Sequence, residues 1–356
     1  MTIELIIEFV IALGVMIFIH EFGHFIVCKL MGIEVEEFGF GYPPHALTLF
    51  EAGGTKFTLN WLPFGGFVRP KGEQDPEVAG GMAAANPWKR IAVLLAGPTM
   101  NLILALVLFI TIYGIIGSLP DRNRVQLVGI VQNSPAEAAG LQSGDILVSV
   151  NGIPIHSLDA VKPIIMDNPG ESLTFVYERD GVSHQVSLTP QENAGAAPTV
   201  GIYMNYPMKP FTLWEAIPES FNSMVDYIKE LFSMIGQMIQ GQSSSSEGGL
   251  VGIVGMFRLY TSVREGAGTP GIPTIVNVFL FFASISISLG LINLLPVPAL
   301  DGGRIVFALP EIIIRKRIPP KYEVWVNFIS FALLILLMII INAHDIISPI
   351  NLPPTP

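Results

Sequence analysis

His20, Glu21 and His24 stand together in "FIHEFGHFIV" (18–27). Histidines four residues apart share one helix face about a turn apart, so both imidazoles can hold one metal ion. The glutamate next to the first histidine can reach a water beside that ion, which is the hydrolytic HExxH pattern. The stretch is otherwise apolar, an expensive place for ionisable groups. The alternative, a pair of hydrogen-bonded core histidines with a buried glutamate, has to meet that cost without a functional return.

A catalytic zinc takes three protein ligands and keeps one position open. His45, His156, His184 and His344 fall in loops, in an outer region or at the far end of a span. Asp301, in "NLLPVPALDGG", is the better third ligand, and depth decides it. At 1.5 Å per residue, His20 and His24 lie roughly 25–30 Å below the start of the first span. The third span reaches Asn293 at about that level, and Pro296 and Pro298 then break the helix so that Asp301 can fold back. A metal at His20, His24 and Asp301 would polarise a scissile carbonyl and acidify water, while Glu21 would take a proton and return it to the leaving amine.

These residues need elements to hold them. The chain has 356 residues, 51% hydrophobic and 13% charged, and a mean hydropathy of +0.56. Soluble domains carry about a quarter charged residues, so the deficit points to a membrane protein. The net charge of −10 and the lack of a basic patch exclude a nucleic-acid partner. The single cysteine, Cys28, excludes an intrachain disulfide and a multi-cysteine zinc site, and reads as a small packing residue.

Four stretches reach the length of about 20 residues needed to span a bilayer: 3–30, 91–118, 275–295 and 324–341. The first has no basic residue before Lys29 and an apolar run too long for a cleaved signal, so a retained helix is expected. Lys29, Lys56, Arg69, Lys71, Lys89 and Arg90 follow the first span, and Arg304, Arg315, Lys316, Arg317 and Lys321 precede the last. The positive-inside rule puts both segments in the cytoplasm and both termini outside. The metal site then lies near the cytoplasmic side, and the middle of the chain is extracytoplasmic.

After the first span, "GTKFTLNWLPFGGFVRP" alternates apolar and polar residues with the period of a strand. Together with "EVEEFGFGYPPHALTLF" it predicts one or two aromatic-rich hairpins at the inner face, as ordinary structure or as a functional edge. Residues 124–203 read as a compact domain, with strands at "VQLVGIV", "DILVSVNG", "SLTFVYER" and "SHQVSLTP" and a helical "SLDAVKPIIMDN". "NSPAEAAGLQSGDIL" reads as a short helix opened by Pro135 and closed by Gly140. "FTLWEAIPESFNSMVDYIKELFSMIGQMIQG" predicts an amphipathic helix, with a break at Pro218 as one option, against the membrane or against other helices. "GQSSSSEGG" reads as a flexible linker. The division expected is 1–118 and 274–356 for the two parts of a membrane core, 119–206 for the outer domain, and 207–273 for the amphipathic helix and linker.

"HEFGH" in the first span, "AGPTMN" (96–101) in the second and "NLLPVPALDGG" (293–303) after the third closely resemble the site-2 protease family of intramembrane zinc metalloproteases, of the bacterial regulator-of-sigma-E protease type. The resemblance covers essentially the whole chain. It implies a polytopic α-helical membrane protein with about four transmembrane helices, a membrane-associated β-hairpin and one extracytoplasmic PDZ-like α/β domain. It implies a zinc ion (Zn2+) bound by His20, His24 and Asp301, with Glu21 catalytic. It implies that Asn293 holds substrate backbone, and that Gly97, Pro98 and Asn101 are structural or line the active site. The hairpin at Phe57–Phe67, with Phe57, Thr58, Leu59, Asn60 and Trp61, would offer an edge to the substrate.

"GIVQNSPAEAAGLQSGDILVSVNG" resembles a circularly permuted PDZ module, whose peptide-binding loop would be Val200, Gly201 and Ile202. "GGLVGIVGM" (248–256) resembles a further family segment. The substrate implied is a single-pass membrane protein already trimmed outside by another protease, such as an anti-sigma factor or a remnant signal peptide, met in the lipid bilayer. Two rival readings are a metal-binding transporter, which would need a through-path and shows no inverted repeat, and an inactive PDZ-bearing scaffold, against which the intact Glu21 speaks.

Overall fold

The computed structural model describes residues 3–191, 198–240, 251–266 and 272–348. The linker expected at 241–249 lies outside the described residues. The chain opens with α1 (Ile3–Met31), β1 (Val35–Ala52), β2 (Thr55–Pro70) and α2 (Pro87–Ile116). It continues with β3 (Leu119–Pro120), β4 (Val125–Ile130), α3 (Pro135–Ala138), β5 (Ile146–Val150), β6 (Ile153–Pro154), α4 (Val161–Met166), β7 (Leu173–Arg179), β8 (Val182–Leu188), β9 (Ile202–Asn205) and β10 (Met208–Lys209). The remaining helices are α5 (Leu213–Ile239), α6 (Ile253–Arg264), α7 (Thr274–Leu294), α8 (Asp301–Ile313) and α9 (Pro320–Ile347). Two compact units result, Met1–Ile116 with Ile217–Pro356, and Gly117–Ala216.

Among the described residues four helices, α1, α2, α7 and α9, are long and apolar enough to cross a membrane. Apart from Glu4, Glu8, the His20–Glu21–His24 group and Lys29 near its end, α1 is apolar around its circumference, as suits a lipid-embedded helix. α2 packs between α1 and α7. The buried side chains at the α2–α7 contact include Ala105, Phe109, Val276, Ala283 and Ile287. α5 runs unbroken through Pro218, which lies early in the helix where only one carbonyl loses its donor. Met224 of α5 joins the α2–α7 core, whereas its Phe221 and Phe232 are exposed. The helix therefore packs against other helices on one face, one of the two surroundings expected of it.

β1 and β2 form the hairpin, but each strand bends and pairs in two places. Phe38 faces both Phe57 and Val68, and Gly39 both Thr58 and Phe67, while Leu47 and Thr48 face Leu59 and Thr58. The lanes are therefore ordered 45–52, 55–60, 37–40 and 66–70. This corrects the expected edge. Lys56–Leu59 are held between two lanes, Thr58 and Asn60 are buried, and the outer lanes are 45–52 and 66–70. Period-two alternation marks a strand, but it does not say how many neighbours the strand has. A row of aromatic rings, Phe18, Phe22 and Phe25 of α1 against Phe38, Phe40 and Phe57, seats the sheet on α1.

The second unit carries a sheet in the order β8-β7-β5-β4-β9, with β6 paired to β5. Its core is apolar, including Val125, Leu127, Leu147, Phe175 and Leu173. α3 starts as its sequence predicts: Ser134 Oγ accepts from the Glu137 N–H at 3.2 Å, with Pro135 in the first turn. The unit runs to Ala216, beyond the expected limit of 206. β10 pairs with β3 and ties the chain's exit to its entrance, a two-residue ladder too short to be read as a strand from its sequence.

Candidate metal centre

α1 puts His20 and His24 on one face, one turn apart. The Nε2 atoms are 3.2 Å from each other, and Asp301 Oδ2 lies 3.2 Å from that of His20 and 3.5 Å from that of His24. Zinc bonds of about 2.0–2.1 Å put neighbouring ligand atoms of a tetrahedron about 3.3 Å apart. The three atoms thus stand near the corners of one face of such a tetrahedron, and the fourth corner is left to other ligands. Two neutral imidazoles and a carboxylate are a donor set that zinc accepts.

Asp301 arrives by the break in the chain. α7 ends at Leu294, and residues 295–300 turn back with Ala299 at φ 73°. The Ala299 N–H is held by Asn327 Oδ1 of α9 at 3.0 Å. Asp301 then opens α8, a helix that the sequence reading missed because "LDGG" looks like a turn. The two glycines serve closeness instead. A Cβ at Gly302 would lie 2.3 Å from the carbonyl oxygen of Leu294, and one at Gly303 2.2 Å from that of Val297.

α2 forms the back wall. A Cβ at Gly97 would lie 2.4 Å from His24 Nε2 and 2.6 Å from His20 Nε2, so only glycine leaves room for the two rings. Pro98 is buried beside it. The Val93 carbonyl lies 2.7 Å from His24 Nδ1. A carbonyl can only accept, so Nδ1 carries the proton and Nε2 offers its lone pair toward Asp301. The amide of Asn101, completely buried, is 3.1 Å from His20 Nδ1.

A cavity of about 430 Å³ opens at this cluster, and Glu21, Val68, Asn293 and Arg304 share its wall with the three ligands. Glu21 Oε2 accepts from the Val68 N–H at 3.1 Å, so the outer lane 66–70 sits directly against it. Arg304 bonds Glu73 at 2.6 Å. Burial disfavours its charge, yet the charge and hydrogen bond of Glu73 raise its pKa above the ordinary value.

Phe57, Thr58, Leu59, Asn60 and Trp61 stay out of this wall. Thr58 bonds Glu37 at 2.7 Å, Asn60 bonds the Gly41 carbonyl at 3.1 Å, and Trp61 is exposed. Val200, Gly201 and Ile202 belong to the other unit, where Val200 is buried and leads into β9. Val68 and Val93 act through backbone atoms, for which no side-chain signal exists. Arg304, one turn after Asp301, could have been found by helical spacing.

The model of peptidase family M50 matches residues 8–337. A protein of Clostridium perfringens is 35% identical over 96% of this chain and 98% of its own length. The regulator of sigma-W protease RasP of Bacillus subtilis is 28% identical over 97% of this chain and 99% of its own length. Among solved structures, the PDZ domain of an SdrC-like protein of Listeria monocytogenes is 22% identical, covers 23% of this chain and 87% of its own, and has a TM-score of 0.21, too low to carry an argument. The His20–His24–Asp301 cluster and the HExxH helix stand inside a match that spans nearly the whole sequence, and this chain belongs to peptidase family M50.

Proposed function

We propose that this membrane metallopeptidase cuts peptide bonds within or next to transmembrane segments, with His20, His24 and Asp301 holding zinc and Glu21 as the base. The observation that carries the assignment is the set of ligand contacts at 3.2–3.5 Å with Glu21 in the same cavity wall. Zinc bound there supplies Lewis acidity toward a peptide carbonyl and toward water. Glu21, one residue from the first ligand, takes the proton of the attacking water on its carboxylate and delivers it to the leaving nitrogen. Asn293, in the same wall, is suited to hold a substrate amide by its own amide group.

A peptide bond in a transmembrane helix is masked by its own hydrogen bonds and has to be unwound. The lane 66–70, which has no strand partner on its outer side among the described residues, can supply replacement backbone partners next to Glu21. The substrate is a single-pass membrane protein first shortened outside by another protease. This fits a site reached from within the bilayer.

The same reading places the site near the cytoplasmic face and both termini and the Gly117–Ala216 unit outside. Its support is the clustering of basic residues after α1 and before α9. Lys29 and Lys89 are bonded to carbonyls of Gly53 and Met31, so this charge gathers at one end of the spans. In the outer unit, β9 is paired on one side by β4 and preceded by Val200-Gly201. An extended peptide can add to its other side, which suits a filter or a receptor for a new chain terminus.

The test is cleavage of a purified transmembrane substrate in detergent or bilayer, with the products identified by mass. Glu21→Gln should lower the rate by about 10²–10⁴-fold, the range for loss of a general base, with zinc content unchanged. Cleavage by the variant at the wild-type rate would sink the mechanism.

A further inference from the structure

We infer that Asn101 is a positioning residue that sets the tautomer of His20, its side-chain oxygen accepting the Nδ1 proton so that Nε2 is left for the metal. This deepens the zinc-peptidase reading and rests on it. Asn101 is completely buried, and its amide lies 3.1 Å from His20 Nδ1. With the amide nitrogen toward the ring, two things go wrong together. Oδ1 is left buried with no hydrogen-bond partner, and a buried acceptor without a donor is costly. The ring would also carry its proton on Nε2, the atom that faces His24 and Asp301 at 3.2 Å.

Turning the amide over, an assignment made from the hydrogen-bond network, offers the oxygen to Nδ1–H. Both imidazoles then take the same form, because His24 Nδ1 already donates to the Val93 carbonyl. Val93, Gly97 and Asn101 recur every four residues along one face of α2. They serve in turn as acceptor for one histidine, space for both rings, and acceptor for the other. A backbone carbonyl serves His24, and a side chain serves His20. The Asn101 carbonyl itself accepts from Ser286 Oγ of α7 at 2.8 Å, which anchors the residue to the third span.

Leucine fills the same volume and accepts nothing; aspartate accepts but cannot donate. Zinc affinity of the purified full-length protein is measured by competition with a chromophoric chelator. Asn101→Leu should bind zinc about 10–100-fold more weakly, the usual effect of losing a ligand's supporting acceptor. Asn101→Asp should stay close to wild type, and so should Ser286→Ala, which leaves the Asn101 side chain in place. A leucine variant with wild-type affinity overturns the inference, and so does an aspartate variant as weak as the leucine one, since that is the result expected of a donor. If the metal-free leucine variant melts below the wild type, the aspartate comparison alone decides. Asp301→Ala separates the two readings. If it keeps full zinc, the metal-centre assignment falls, whatever Asn101 does.

Discussion

The two units of this protein place their polar residues in opposite ways. In the Gly117–Ala216 unit the interior is Val125, Leu127, Leu147, Phe175 and their neighbours. Among its described residues the one deeply buried acid, Asp145, is met by a two-pronged bond from Arg179 at 2.6 and 2.7 Å. In the membrane unit His20, Thr58, Asn60, Asn101 and Ser286 are buried, while Phe328 and Leu333 of α9 are about 60% exposed. Each unit hides what its solvent rejects. Water drives apolar groups inward, whereas lipid is as apolar as leucine, so polar contacts and close approach of small residues hold the helices together. The metal centre exploits the second arrangement, because a dry interior already lined with polar groups needs few further changes to become a reaction site.

The comparison breaks most severely at Gly97. Gly97→Val would drive side-chain atoms into both histidines, and zinc content and cleavage should fall to background. Gly114→Val, on the same helix where nothing lies within 4 Å of the new Cβ, should leave both unchanged. Elemental analysis of the two purified variants checks this, and equal zinc in both would show that the α1–α2 contact is looser than drawn.

Phe175→Ala should behave as a core mutation in a water-soluble domain, costing about 3–5 kcal/mol in the Gly117–Ala216 unit with zinc content untouched. Thermal unfolding followed alongside metal content separates these; joint loss of fold and zinc would mean that the two units do not fold independently.

The solvent contrast is sharpened by one pair of surface changes. Leu333→Arg on α9 should cost about 2.5–3.5 kcal/mol of membrane insertion. Val182→Lys, at a comparably exposed position of the Gly117–Ala216 unit, should lie within about 0.5 kcal/mol of wild type. Similar insertion yields for both would contradict α9 as a lipid-facing span.

The smallest effect concerns the strand beside Glu21. Val68→Pro removes the N–H that Glu21 accepts. A hydrogen bond to a charged group is worth about 1.5–3 kcal/mol, so cleavage should slow by about 10- to 100-fold. Val68→Ala, which keeps the N–H, should cost far less. Rate measurements with zinc occupancy held equal test this, and matching rates would leave lane 66–70 as plain structure.

Local order was legible in the residues alone. Four-residue spacing suffices to put His20 and His24 on one helix face, since helix periodicity is a backbone property. Span length, the basic flanks and the apolar alternation of the outer strands follow from solvent and pleat in the same way. Asp301 was within reach because depth can be counted along two helices that start from the same side.

Tertiary structure alone decided which strand is an edge. Lys56–Leu59 and Gly66–Pro70 belong to the same β2, and only the doubled register leaves the second outermost, against Glu21. It also decided that α2 supplies hydrogen-bond partners for both histidine rings, that Gly97 is the space beside them, and that α8 begins at Asp301. The physical reason is range. Periodicity and propensity report on neighbours a few residues away, whereas Asn101 and His20, 81 positions apart, or Val93 and His24, 69 apart, meet only because buried polar groups must find partners somewhere in the folded chain.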